Sequence, residues 1–185
     1  MSAQEGGRRV GPYAVVHSRP VYENAWVKVR EDRASLRGEE GSFGVVTMRA
    51  GVSALAMEES GEVYLVREFK YALGESSLEV VSGAIESGET PEQAGLRELG
   101  EEVGLVAAEW VDMGVLNPFT TVVNSPNHMF LARKLSKLRP MRERESAVEV
   151  VKAPFEEAVR WVLKGEITHG ASCVVILKAK VFLEG

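Results

Sequence analysis

Glu86, Glu89, Glu98, Glu101 and Glu102 crowd into positions 86–102 with Arg97 as the only cation among them. Like charges four apart on a helix, as at Glu98 and Glu102, cost a few tenths of a kcal/mol in water and more where solvent is excluded. Something positive is expected to sit among them. Hard oxygen donors carried on a helix suit Mg²⁺ or Mn²⁺, which keep waters and share the phosphate oxygens of a substrate. Arg97 is within reach of Glu101 at i+4 or of Glu89 across a loop, and is expected to fix a carboxylate rather than touch substrate. The chemistry in prospect is metal-assisted attack on a phosphate linkage.

A loop followed by a helix must position these groups. Thr90-Pro91-Glu92-Gln93 reads as a helix start: Thr90 caps free amides, Pro91 fits the first helical position and Gln93 completes a capping box. Gly104 suits the left-handed residue that ends a helix. Between them Leu96, Leu99 and Val103 make an apolar stripe, and Glu98, Glu101 and Glu102 share the opposite side. A merely solvated acidic face is the plainer reading. It explains neither Gly83 and Glu89 at their fixed distances nor Gly95 and Gly100 inside the helix, each costing about 1 kcal/mol against alanine.

With U a bulky aliphatic residue, the stretch runs G-x5-E-x7-R-E-U-x-E-E-x-G-U over Gly83, Glu89, Arg97, Glu98, Leu99, Glu101, Glu102, Gly104 and Leu105. It resembles the Nudix box, the signature of the Nudix hydrolases. That resemblance implies an α/β/α sandwich with a mixed sheet, and hydrolysis of a nucleoside diphosphate linked to another moiety with Mg²⁺ or Mn²⁺. Outside the box the chain is similar to the branch of ADP-ribose and nucleotide-sugar pyrophosphatases: Val66-Arg67-Glu68-Phe69-Lys70 precedes the box, and a proline loop and His128-Met129-Phe130-Leu131-Ala132 follow it. The resemblance implies metal ligation by Glu98, Glu101, Glu102 and the Ser82 carbonyl. It implies a general base at Glu145, then Glu143, with Glu98 as the other possibility, and phosphate contacts from Lys70 first and Arg67 second. Lys70 stands where the branch usually has arginine, which loses the bidentate fork. Val80-Val81-Ser82-Gly83 replaces the usual leucine-proline-glycine-glycine, and the proline loop holds no carboxylate. A house-cleaning nucleoside triphosphate pyrophosphatase and a Nudix-like ligand-sensing module are the alternative functions.

The chain has 185 residues, is 45% hydrophobic and carries a formal charge of −5. That length supports one core with a small appendage. The acidity offers no basic face to nucleic acid; it is the resemblance that implies a small-molecule nucleotide as partner. The single cysteine, Cys173, precludes an internal disulfide, and no leader-like N-terminus or long apolar run appears; a soluble cytoplasmic protein with no membrane partner is expected. Residues 1–11 read as a disordered tail, 12–42 as an antiparallel β element and 43–185 as the hydrolase domain. In the β element, residues 13–17 and 21–30 read as strands joined by a turn at Ser18-Arg19-Pro20. Trp26 then stands out on a polar strand face, where it suits local packing, a dimer contact or base stacking. In the branch such an N-terminal element often builds a homodimer. Arg67 and Lys70, at the end of an apolar strand, could together hold phosphates.

Overall fold

The computed structural model describes residues 8–138 and 148–185. In chain order the elements are β1 (Arg9–Val10), β2 (Tyr13–Glu23), β3 (Val27–Leu36), β4 (Glu39–Met48), β5 (Gly51–Met57), β6 (Glu62–Lys70), β7 (Glu75–Ala84), α1 (Pro91–Val103), β8 (Leu105–Leu116), β9 (Val123–Asn124), β10 (Asn127–Lys137), β11 (Glu149–Pro154), α2 (Phe155–Lys164) and α3 (Gly170–Glu184). Close packing divides them into two units, Met1–Arg49 with Phe119–Ser125, and Ala50–Pro118 with Pro126–Gly185.

The first unit is a five-stranded sheet in the order β1-β2-β3-β4-β9. Its turns differ from those expected. No turn forms at Ser18-Arg19-Pro20; β2 runs through them, and the missing N–H of Pro20 falls where the pairing with β3 shifts register. The chain reverses instead at Asn24, whose side-chain oxygen accepts from the Trp26 and Val27 amides, both at 2.8 Å. Trp26 therefore sits in a turn, not on a strand face, with the Arg49 guanidinium 5.1 Å from its ring centre. The second reversal uses Arg37 and Gly38, both at positive φ (54° and 91°), to join Leu36 to its partner Glu39. Arg9 and Val10, placed in the tail on sequence grounds, pair with Ala14 and Tyr13.

The second unit is a mixed six-stranded sheet, β11-β6-β7-β5-β10-β8, in which β5 and β10 run parallel. Period-two alternation sends neighbouring side chains to opposite faces. Leu55, Leu65, Val80 and Leu131 pack with Phe155, Ala158, Val175 and Ile176 of α2 and α3. Their successors Ala56, Val66, Val81 and Ala132 pack with Leu99 of α1. The central strands are thus covered on both sides, as their unbroken apolar runs require. β5 pairs with β7 up to Ala54 and then with β6 from Ala56. At that fork the Val80 amide donates to Ser172 Oγ of α3 at 3.0 Å.

The buried stripe of α1 is Ala94, Gly95 and Leu99, whereas Leu96, expected inward, is 41% exposed. The reason is a close approach. A Cβ on Gly95 would lie 2.9 Å from Trp110 Cζ3 and 3.4 Å from Val52 Cγ2, and the Trp110 ring is held edge-on to Phe130. At Gly100 the nearest atom, Leu138 Cδ2, would be at an ordinary 3.4 Å. The two helical glycines should therefore respond in opposite directions to alanine. Gly100→Ala should gain up to about 1 kcal/mol from helix propensity. Gly95→Ala should lose about 1 kcal/mol, because overpacking of about 1–3 kcal/mol exceeds the same gain. Urea midpoints at constant slope measure both.

Candidate active site

Helix α1 begins as its sequence dictates. The Gln93 amide donates to Thr90 Oγ1 at 3.2 Å and the Thr90 amide to Gln93 Oε1 at 2.8 Å, a complete capping box with Pro91 in the first turn. Gly104, at φ 67°, returns its amide to the Leu99 carbonyl. In the loop before the helix, the Glu86 amide donates to Glu89 Oε2 at 3.0 Å.

Arg97 ties loop, helix and strand together. Its Nε and Nη2 grip the two oxygens of Glu89 at 2.8 and 3.1 Å, the bidentate geometry in which arginine exceeds lysine. Nη2 also donates to the Ala84 carbonyl at 2.9 Å, and Nη1 to Glu98 Oε1 at 2.7 Å and Glu101 Oε2 at 3.4 Å. These bonds, to Glu89 above all, hold the guanidinium charged and push its pKa up. The same bonding holds the Glu89 carboxyl below its ordinary range.

Glu98 and Glu102 converge on the end of β7. A Cβ on Gly83 would lie 2.0 Å from Glu98 Oε1, so only a bare backbone admits that carboxylate. One residue earlier, the Ser82 amide donates to Glu102 Oε2 at 3.2 Å. Burial pushes the Glu98 carboxyl up, against the opposing pull of Arg97. Burial raises Glu102 further, to about 7, with Glu98 adding repulsion and the Ser82 amide and Lys70 opposing it. At both carboxylates burial outweighs the nearby positive charge, Arg97 at Glu98 and Lys70 at Glu102.

These residues fit a divalent cation. The donors are all hard oxygen, they meet across Ser82 and Gly83, and the side-chain space left by Gly83 is filled by a carboxylate. Among the described residues no three acidic, histidine or cysteine side chains are already drawn into a ligand set. Arg97 holds Glu98 and Glu101 meanwhile.

Lys70 lies beside this site, bonded to Glu68 at 2.5 Å and paired with Glu79 at 3.7 Å. Arg67 does not join it. Three residues apart on a strand, the two cations face opposite sides, and Arg67 pairs with Glu149 on β11 at 3.6 Å. Trp26 belongs to the first unit. Glu143 and Glu145 lie outside the described residues. Sequence reasoning missed Glu79, His169 and Ser172. The signal for Glu79 was a single carboxylate inside the apolar run Leu78-Glu79-Val80-Val81. Only 5% of Glu79 is exposed.

A mixed sheet clad by helices on both faces, with an acidic helix seated on a glycine at a strand end, defines the Nudix class. The family model for the NUDIX domain matches residues 47–172, and the chain belongs to the Nudix family. It is a hydrolase of the ADP-ribose pyrophosphatase branch. It is 32% identical over 154 residues to the ADP-ribose pyrophosphatase of Bacillus subtilis, covering 79% of this chain and 80% of that one. To the ADP-ribose pyrophosphatase of Mycobacterium tuberculosis it is 26% identical over 181 residues, covering 94% and 86%. The crystal structure of an ADP compounds hydrolase superposes with a TM-score of 0.81 at 16% identity, over 97% of this chain and 98% of that one.

Gly83→Ala should displace Glu98 and cut turnover more than about ten-fold, the scale of a misplaced reacting group; an unchanged rate would show that Glu98 need not lie there. The raised Glu102 carboxyl also sets a pH dependence. Between about 4.5 and 7 the unfolded chain binds fewer protons at this residue than the folded one, so folding weakens as pH rises through that window. In chelator, Glu102→Gln should match the parent in thermal unfolding at pH 5 and exceed it at pH 8. Adding a divalent ion at pH 8 should stabilise the parent alone.

Proposed function

We propose that the protein hydrolyses the diphosphate linkage of ADP-ribose or a related nucleoside diphosphate sugar in a reaction that depends on Mg²⁺ or Mn²⁺. The products are a nucleoside monophosphate and a sugar phosphate. The observation that carries this reading is the convergence of Glu98 and Glu102 on Ser82 and Gly83 with Lys70 alongside. Its support from outside is the likeness to two ADP-ribose pyrophosphatases along most of the chain.

Glu98, Glu101, Glu102 and the Ser82 carbonyl would hold the metal, and Arg97 would keep Glu98 and Glu101 aligned. When bound, the ion neutralises charge on the diphosphate oxygens and lowers the pKa of an attacking water. Lys70 supplies the fixed positive charge nearest the carboxylates, suited to a phosphate oxygen. Arg67, on the opposite face of the strand, is at most a second contact. Glu145, then Glu143, would take the proton from the water, with Glu98 as the alternative base. Trp26, 64% exposed, offers a ring for base stacking. Val16, Val21, Tyr22 and Met48, all exposed on the first unit, suit a homodimer contact.

Purified protein given ADP-ribose, several nucleotide sugars and nucleoside triphosphates with Mg²⁺ tests the reading. AMP and ribose 5-phosphate from ADP-ribose are the expected products; pyrophosphate from a triphosphate would favour the house-cleaning alternative, and no product from any substrate would reject the proposal. Glu98→Gln and Glu102→Gln should each lower kcat at least about 10²-fold without unfolding the chain. Light scattering after size exclusion reads the oligomeric state.

A further inference from the structure

Among the described residues outside the box, two charged side chains are buried, Asp32 in the first unit and Glu79 in the second. Glu79 lies on β7 opposite Val66 of β6, with 5% of its surface exposed. A buried carboxylate costs several kcal/mol unless paired, and one so close to a diphosphate site would also repel substrate. Its surroundings answer both points. Glu79 Oε2 is 3.7 Å from Lys70 Nζ, 3.3 Å from His169 Nδ1 and 3.5 Å from the Ser82 hydroxyl, which donates to it. Burial pushes the His169 ring below its ordinary pKa, with the Glu79 carboxylate opposing. His169 Nδ1 also meets Ser172 Oγ at 2.8 Å, and Ser172 is anchored to the Val80 amide at the sheet fork. Glu79 is thus braced from α3 and reaches two residues of the proposed site.

We propose that Glu79 is a positioning residue for the reaction, holding the Lys70 ammonium and the Ser82 hydroxyl in place. The inference rests on the reading of Lys70 as the phosphate contact. Lysine has a flexible four-carbon stem and loses rotamer freedom when fixed. Glu68 also bonds Lys70, but its side chain is 36% exposed, against 6% for Glu79, and exposed pairs hold little. The buried partner sets the geometry. Through Ser82 the same carboxylate steadies the residue whose amide binds Glu102.

A double-mutant cycle on the full chain tests this, reading KM, kcat and the metal-free Kd for ADP-ribose. Lys70→Met and Glu79→Gln should each weaken metal-free binding about ten-fold or more, the scale of one charge-assisted contact. The double variant should bind no worse than Lys70→Met alone. Glu68→Gln should stay within about two-fold of the parent. Independent losses that multiply in the double variant would overturn the proposal, as would a Glu79→Gln loss confined to kcat. Should Glu79→Gln not fold, Glu79→Asp keeps the charge and draws it back by one methylene; parent-like binding in that variant would refute the role. Acetic anhydride labelling followed by mass spectrometry needs no substrate. Lys70 should be protected in the parent and label several-fold faster in Glu79→Gln or Glu79→Asp. Equal labelling sinks the inference even if the parent proves inactive on every nucleotide sugar, an outcome that would by itself reject only the proposed substrate.

Discussion

The second unit depends on bringing several carboxylates to one strand end without letting their repulsion open the helix. Arg97 is the means. A single planar fork satisfies Glu89, Glu98, Glu101 and the Ala84 carbonyl, so the loop, the second half of α1 and the end of β7 share one cation. Lysine could not do this, because a point charge cannot grip both Glu89 oxygens and still reach the helix. Glu102 lies outside this fork, and burial raises its carboxyl to about 7, with the Ser82 amide and Lys70 opposing it.

Small residues make room for this electrostatic core. Gly83 lets the Glu98 carboxylate rest against bare backbone, and Gly95 lets α1 settle onto Trp110 and Val52. The closeness of α1 to the sheet and the depth of its carboxylates have one cause. A helix standing a methyl group further out would leave Glu98 and Glu102 in water, where their pKa values would fall and their hold on a cation would weaken.

From the opposite face of the sheet, α3 completes the support. Its first turn closes the fork between β5 and β7, and Ser172 and His169 lead from there to Glu79, Lys70 and Ser82. Cys173, in the same turn, donates its thiol to the Ile167 carbonyl at 3.2 Å and is pushed up in pKa by burial, as an inert packing residue should be. The C-terminal helix α3 thus does more than close the core.

Much of this was legible in the residues themselves. Local rules set the limits of α1, because capping boxes, first-turn prolines and left-handed glycines act within a few residues. The spacing from Gly83 to Leu105 marked the acidic cluster and its arginine for the same reason. Strand alternation already placed Arg67 and Lys70 on opposite faces, although their nearness in sequence suggested a shared task. The one turn expected in the first unit was misplaced because Pro20 could be absorbed at a register shift, while Asn24 offered a reversal that alternation alone does not rank. Only tertiary packing decided why Gly95 is glycine, why Leu96 faces outward, and that Glu79 lies in contact with Lys70, Ser82 and His169. Those facts join residues up to ninety positions apart, and such contacts depend on how a forked sheet receives α3, which no window of sequence contains.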